Sequence, residues 1–469
     1  MKKLLAICLV LALALSMAAC GNTPASTAPV STSEAAVSSE AAAPAEGKVL
    51  RIYCWNDEFQ RRLTEFYPDY DDTAKTIGDV KVEWVMTPSD NNAYQNALDE
   101  ALLNQATNAA DEKIDLFLIE ADYALKYTAA DVDVAMDVVK DIGVTAADMA
   151  QQYQYTRDIV TDENGVQRGI SWQGCPGVFI YRRSIAKDVL GTDDPVEVQE
   201  TMANWDKFDE TAATMAAKGY KMLGGYDDTY RTFSNNVSAT WVNDKNEIVI
   251  DDAMMKWVDQ TMEFTEKGYN APNILWAPEW AATMGKDGKT FGYFGPAWFI
   301  DFVMAGNSMD VATADGGKAE AGNGAYGDYA ACAGPAGYFW GGTWMCGATG
   351  SDNVSLIKDI MLKMCCDEAT ATGLTKSCNE FANNKKAMNA IAASDYGSAF
   401  LGGQNVIGAM AASADTIDMS KTSPYDQGLN EGFQTAFHDY FNGSVDKETA
   451  LANFYKEAQV KYPELKIPA

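Results

Sequence analysis

Between Val49 and Ile119 the chain alternates short apolar runs with helical stretches, and this alternation limits what it can fold into. Val49 to Trp55 reads as a buried strand, and Asn56-Asp57 can cap a helix from Glu58. Val80 to Met86 alternates apolar and polar residues as a second strand. Asn91 to Asn108, opened by Ser89-Asp90-Asn91, reads as a helix, and Ile114 to Ile119 is a fully apolar strand ending at Glu120-Ala121-Asp122. Strand, helix, strand, helix, strand is the rhythm of a parallel sheet with helices on its faces. A second series follows. Gly169 to Trp172, Val178 to Tyr181 and Thr290 to Phe294 read as strands. Helices are predicted from Asn204 to about Lys218, from Asp251 to Gly268, around Trp298 to Met304, after Ser351-Asp352-Asn353, and from Lys447 to Lys461. The folded length exceeds what one hydrophobic core supports, so an α/β protein of two lobes is expected.

The first residues carry a different message. Lys2 and Lys3 lead into an apolar run from Leu4 to Leu15, and small residues precede Cys20. Basic, apolar, then small is the order of a secretory signal, and the run is too short to span a bilayer. Ala18-Ala19-Cys20 resembles a bacterial lipoprotein signal, with Met17 where Leu is usual. The resemblance implies a signal peptide over residues 1–19 and a lipid anchor on Cys20; the alternative is an ordinary secreted chain in which Cys20 is incidental. Residues 20–47 are nearly all Ala, Ser, Thr, Pro, Val and Glu without an aromatic. Such a segment buries too little apolar surface to offset its ordering entropy, so a flexible tether is expected.

Charge and residue usage exclude several classes. A formal charge of −30 repels nucleic acid and anionic lipid heads, so no nucleic-acid partner is expected. Beyond Cys8 and Cys20, seven cysteines remain of nine, with no C-x-x-C pair, which is neither a disulfide framework nor a metal-ligand pattern. The single histidine, His438, sits among aromatics at helical spacing and reads as a packing or helix-surface residue. No catalytic motif, phosphate loop, metal or cofactor is indicated.

Six segments in order resemble the extracellular solute-binding proteins of ABC importers, in the group of the maltose-binding lipoproteins. They are Leu50-Arg51-Ile52-Tyr53-Cys54-Trp55-Asn56, Ile114-Asp115-Leu116-Phe117-Leu118 and Gly177-Val178-Phe179-Ile180-Tyr181-Arg182-Arg183. Ala203-Asn204-Trp205-Asp206-Lys207-Phe208, Gly295-Pro296-Ala297-Trp298 and Gly341-Gly342-Thr343-Trp344 complete the set. The chain departs from the family at Arg182-Arg183 and in lacking a glutamate near Cys175. The resemblance implies a two-lobed periplasmic-binding-protein-like α/β fold with a hinge between lobes. By analogy, residues 48–130 and 325–372 form lobe one, and 131–324 and 373–469 form lobe two. It further implies a lipid-anchored receptor on the extracellular face of the cell membrane, periplasmic where an outer membrane exists. Such a receptor captures a sugar or oligosaccharide in an interlobe cleft and delivers it to ABC permease subunits, with the ATPase on another chain. A monomer without catalytic activity is expected.

Sugars present apolar ring faces and a rim of hydroxyls, so a sugar cleft needs flat aromatics and forked polar side chains. The chain holds 11 tryptophans, several at strand ends. The expected ligand-binding residues are therefore Trp55, Asn56, Asp57, Asp122, Trp172, Gln173, Trp298, Asp301 and Trp344. Trp84, Trp205 and Trp257 fit core positions, while Trp241, Trp276, Trp280 and Trp340 suit packing beneath loops. The competing readings are a non-sugar ligand on the same fold, such as a polyamine, peptide or metal chelate, and a surface glycoside hydrolase with two carboxylates across one bond.

Overall fold

The structure, a computed structural model, describes residues 47–468. The expected signal peptide, Cys20 and residues 20–46 of the tether lie outside the described residues. Gly47, the last tether residue, donates its N–H to the Asp352 carbonyl at 3.1 Å and so already belongs to the folded body. Among the described residues no helix is long and apolar enough to cross a membrane.

Among the described residues eleven strands form two sheets. In chain order they are β1 (Val49–Cys54), β2 (Tyr70–Asp71), β3 (Thr76–Ile77), β4 (Val80–Met86), β5 (Leu116–Glu120), β6 (Ile170–Ser171), β7 (Val178–Arg182), β8 (Lys221–Leu223), β9 (Thr290–Gly295), β10 (Tyr329–Cys332) and β11 (Thr343–Gly347). The first sheet runs β2-β3-β4-β1-β5-β11-β6 and the second β10-β7-β9-β8. At the centre of the first, β1 pairs in parallel with both β4 and β5. This is the arrangement that the βαβ alternation predicts, with the helices Glu58–Phe66 and Ala93–Asn104 as crossovers. Strand β11 is antiparallel to both β5 and β6.

Helix boundaries follow their capping residues. The Asn204 side chain accepts the Lys207 N–H at the start of Trp205–Ala217, Asp251 caps Asp252–Lys267, and Gly268 ends that helix at φ 67°. Trp205 stacks on Phe233 at 4.5 Å and Trp257 is fully buried, as core residues should be. All seven cysteines from Cys54 onward are free thiols.

The strand pairing divides the chain differently from the expected boundaries. Ile170–Ser171, expected in lobe two, pairs with Met345 and Trp344 in the seven-stranded sheet. Tyr329–Cys332, expected in lobe one, pairs with β7 in the four-stranded sheet. The helix Lys385–Ala392, also expected in lobe two, packs against Glu368–Cys378, which itself packs on Glu58–Phe66. The chain crosses where glycine and proline interrupt the sheets, through Gly174-Cys175-Pro176-Gly177 and back through Gly334 to Gly342, and it passes once more to the second half before the helix Asp426–Phe441, which packs on Asp252–Lys267. The first two crossings pair with each other, Gly177 N–H donating to Tyr338 O at 2.8 Å and Trp340 N–H to Cys175 O at 3.2 Å. The largest apolar cluster is continuous across them, from Ile52 and Trp344 to Val178 and Tyr329, so the two halves pack against each other at the crossing.

Gly177 is required there. A Cβ at this position would lie 1.9 Å from the Tyr338 ring, which is fully buried and donates its hydroxyl to the Val178 carbonyl. The ring has no room to swing away. Gly177→Ala is expected to cost about 1–3 kcal/mol through overpacking, measured by urea unfolding; a variant as stable as wild type would show that the crossing yields.

Candidate functional site

The carboxyl ends of β1, β4 and β5 and the start of β11 meet at one edge of the first sheet, where open α/β sheets offer a crevice. A cavity of about 430 Å³ opens there. The first half contributes Trp55 and Asn56 after β1, Glu58, Ser89, Glu120 at the end of β5, and Gln173 at the first crossing. Facing them are Trp276, Trp298 and Phe302 of the second half, with Trp340, Gly341, Gly342 and Thr343 on the return crossing.

The aromatic wall is a linked set. Trp298 donates its indole N–H to the Trp340 carbonyl at 2.9 Å and meets that ring edge-on at 5.2 Å. Trp276 lies 5.6 Å from Trp340 and is 55% exposed, although its backbone sits in the left-handed region at φ 71°. A bulky side chain in that region is held there against a local preference, and such strain concentrates at functional positions. Across the cavity Trp55 meets Tyr94 edge-on at 5.5 Å. Gly341, at φ 71°, lets the indole of Trp298 lie against the crossing, where a Cβ would come within 3.1 Å of its nitrogen.

The polar floor is built on carboxylates. Gln173 donates its amide to Glu58 at 3.1 Å and to Glu380 at 3.2 Å, while its oxygen accepts the Thr343 N–H at 2.9 Å. Its polar atoms are thus fully engaged in holding the two crossings and the two acids together. Arg62 reaches Glu380 at 3.1 Å and Glu58 at 3.5 Å. Asn56 accepts the Glu58 N–H, which starts the helix and leaves its own amide nitrogen free of protein acceptors among the described residues. Glu120 accepts the Asp122 N–H at 2.9 Å.

Burial, followed by the neighbouring Glu380 carboxylate, pushes Glu58 up to about 8. Glu120 is pushed up to about 8 by burial and then by Asp122. A carboxyl whose folded pKa lies above its unfolded value binds an extra proton in the native state. Its contribution is complete below the ordinary carboxylate range and is lost as pH rises through the folded value. Glu58→Gln is therefore expected to flatten the fall in melting temperature between about pH 5 and pH 8. Thermal melts across that range test it, and an unchanged slope would contradict the placement of Glu58.

Four of the nine expected residues line the cavity: Trp55, Asn56, Gln173 and Trp298. The other five do not. Trp172 is 2% exposed and stacks on Phe59 at 5.1 Å, because successive residues after β6 point to opposite sides and Gln173 takes the cavity side. Trp344 is fully buried for the same reason: β11 starts at Thr343, so Trp344 points inward, donating its indole N–H to the Thr156 carbonyl at 2.7 Å. Asp57 is exposed and pairs with Arg61 at 3.3 Å. Asp122 binds Arg231 of the second half through two bonds of 2.5 and 2.6 Å, joining the halves beside the cavity. Asp301 accepts from Asn379 at 3.0 Å and lines a separate cavity of about 80 Å³.

Glu58, Glu120, Ser89 and Phe302 escaped sequence reasoning. Trp276 and Trp340 were expected beneath loops and instead face the cavity, whereas Trp280 is buried and donates to Asp228 at 2.8 Å. The position of Glu120 at the carboxyl end of a fully apolar strand was the one available signal. His438 stands on the helix Asp426–Phe441, its ring hydrogen-bonded to the buried Asp227 carboxyl at 2.7 Å.

Two α/β halves joined by paired crossings, with a cavity between them at the strand ends, define the two-lobed fold of periplasmic binding proteins. Solved structures share it. A protein of extracellular solute-binding protein family 1 superposes with a TM-score of 0.69 at 16% identity, covering 88% of this chain and 99% of its own. The sugar-binding protein MalE from Xanthomonas citri gives 0.63 at 12% identity, covering 88% and 96%. The galacto-N-biose-/lacto-N-biose I-binding protein of an ABC transporter from Bifidobacterium longum, in complex with lacto-N-biose, gives 0.62 at 14% identity, covering 90% and 100%. No protein-family model matches the sequence, and no curated protein does.

Proposed function

We propose that this chain is the solute-binding protein of an ABC importer, capturing a mono- or oligosaccharide between its halves and presenting it to membrane permease subunits. The observation that carries the reading is the cavity itself. Four indoles and a phenyl ring offer flat faces for sugar rings, and Asn56, Glu58, Glu120 and Ser89 offer forked or hydroxylic partners for the rim. Trp55, Asn56, Gln173 and Trp298 are the expected residues that line it, and Trp276 and Trp340 line it with them. Binding solved relatives of this fold, which hold lacto-N-biose or other saccharides, support the ligand class. Micromolar affinity requires roughly 8 kcal/mol. A few charge-assisted hydrogen bonds at about 1.5–3 kcal/mol each, with buried aromatic faces, reach that after closure costs.

In this reading Cys20 carries the lipid that tethers the receptor to the outer face of the membrane, and the ligand stabilises the closed arrangement of a hinge. The protein binds without chemistry, as a monomer. Calorimetric titration of residues 47–469 against a glycan library tests the proposal. Saturable binding of a saccharide, with no reducing ends released, is expected. Release of reducing ends would identify a hydrolase instead, and binding of no saccharide at all would overturn the reading.

A further inference from the structure

The cavity is unusual in its charge. Among the described residues it is lined by two carboxyl groups and by no lysine, arginine or histidine. The basic groups nearby are already matched. Arg62 is shared between Glu58 and Glu380, giving two acids to one guanidinium. Arg231 is held bidentately by Asp122, which leaves Glu120 as the surplus acid beside that pair. Each side of the cavity therefore carries one more carboxyl group than guanidinium.

The two acids are engaged differently. Glu58 is about nine-tenths buried, takes its contacts from Gln173 and Arg62 on one oxygen, and shares a carboxyl–carboxyl hydrogen bond with Glu380. Glu120 receives the Asp122 N–H on one oxygen and has no donor on the other. Four indoles surround them, and indole faces attract a cation electrostatically, most strongly where water is excluded. The Arg231 guanidinium lies 5.8 Å from the Trp340 ring centre and is held in the Asp122 pair.

From this arrangement we infer that the saccharide this site takes carries at least one protonated amine, an amino sugar rather than a neutral one. The inference rests on the saccharide reading above and narrows it. An ammonium group at the free Glu120 oxygen supplies the counter-charge with which that acid ionises, and its charge-assisted hydrogen bonds are stronger than those of a hydroxyl. The charged groups facing Glu58 are Glu380, Arg62 and Arg61, and those facing Glu120 are Asp122, Arg231 and Glu431. Burial holds Glu120 toward the protonated form, so capture of one cation ionises it and releases one proton.

The test pairs saccharides that share ring and linkage. β-1,4-linked glucosamine dimers and trimers are titrated beside their N-acetylated forms and beside cellobiose and cellotriose, with spermidine as a separate arm. The amine-bearing sugar is expected to bind at least about tenfold more tightly than both partners, with proton release seen as a dependence of heat on buffer ionisation. Glu120→Gln is expected to bring that ratio toward one, the amine-bearing sugar losing more affinity than the neutral one. A neutral or N-acetylated sugar that binds as tightly as the amine, or a ratio unchanged in Glu120→Gln, overturns this inference and leaves the saccharide reading standing. Binding of spermidine with no saccharide bound overturns both.

Discussion

Trp298→Ala is expected to weaken saccharide binding by about a hundredfold, a loss of about 2–4 kcal/mol of the kind seen when a buried aromatic anchor is truncated. The size follows from three roles held by one side chain. Its indole lines the cavity, its N–H fixes the Trp340 carbonyl, and its ring edge sets the pose of Trp340, which in turn contacts Trp276. Removing it takes away one sugar-facing plate and frees two others. Trp298→Phe keeps the plate and loses the hydrogen bond, so an intermediate loss is expected. Calorimetry gives the affinities and circular dichroism confirms the fold; a Trp298→Ala protein that binds as wild type would remove the aromatic wall from the site.

Trp172→Ala is expected to behave in the opposite way, costing about 3–5 kcal/mol of stability with near-normal affinity in the protein that remains folded. The indole is 2% exposed and stacked on Phe59 under the helix that carries Glu58, so its loss opens a large cavity in the core. Its N–H is buried without a partner. Trp172→Phe retains the stack and removes that unsatisfied donor, and is expected to lose much less. Urea unfolding of both variants tests the assignment. Wild-type stability with lost binding in Trp172→Ala would return this side chain to the ligand site.

The contrast between these two tryptophans shows how far local sequence reaches. Both follow a short strand, and both sit beside residues suited to a ligand. Nothing in their immediate neighbours separates them. Trp298 opens a helix beside the cavity, whereas Trp172, like Trp344, is placed by one residue of strand register: after β6, Trp172 turns inward and Gln173 outward, and at β11, Thr343 faces the cavity and Trp344 the core. A strand boundary misplaced by one residue exchanges the two faces. Asp122 and Asp301 failed for another reason. Their partners, Arg231 and Asn379, lie more than 70 residues away in sequence, and no spacing rule pairs them.

The pattern of apolar runs and caps in the sequence by itself determined the α/β class, most of the long elements and the strand ends where a cavity would form. Those features depend on the period of neighbouring residues and on helix-end chemistry, which are local. The division of the chain between halves, the gathering of Trp276, Trp298 and Trp340 into one wall, and the surplus of acid at Glu58 and Glu120 were decided only by the tertiary structure. Each depends on which distant segments the crossings bring together, and burial and charge balance are properties of that assembled surrounding.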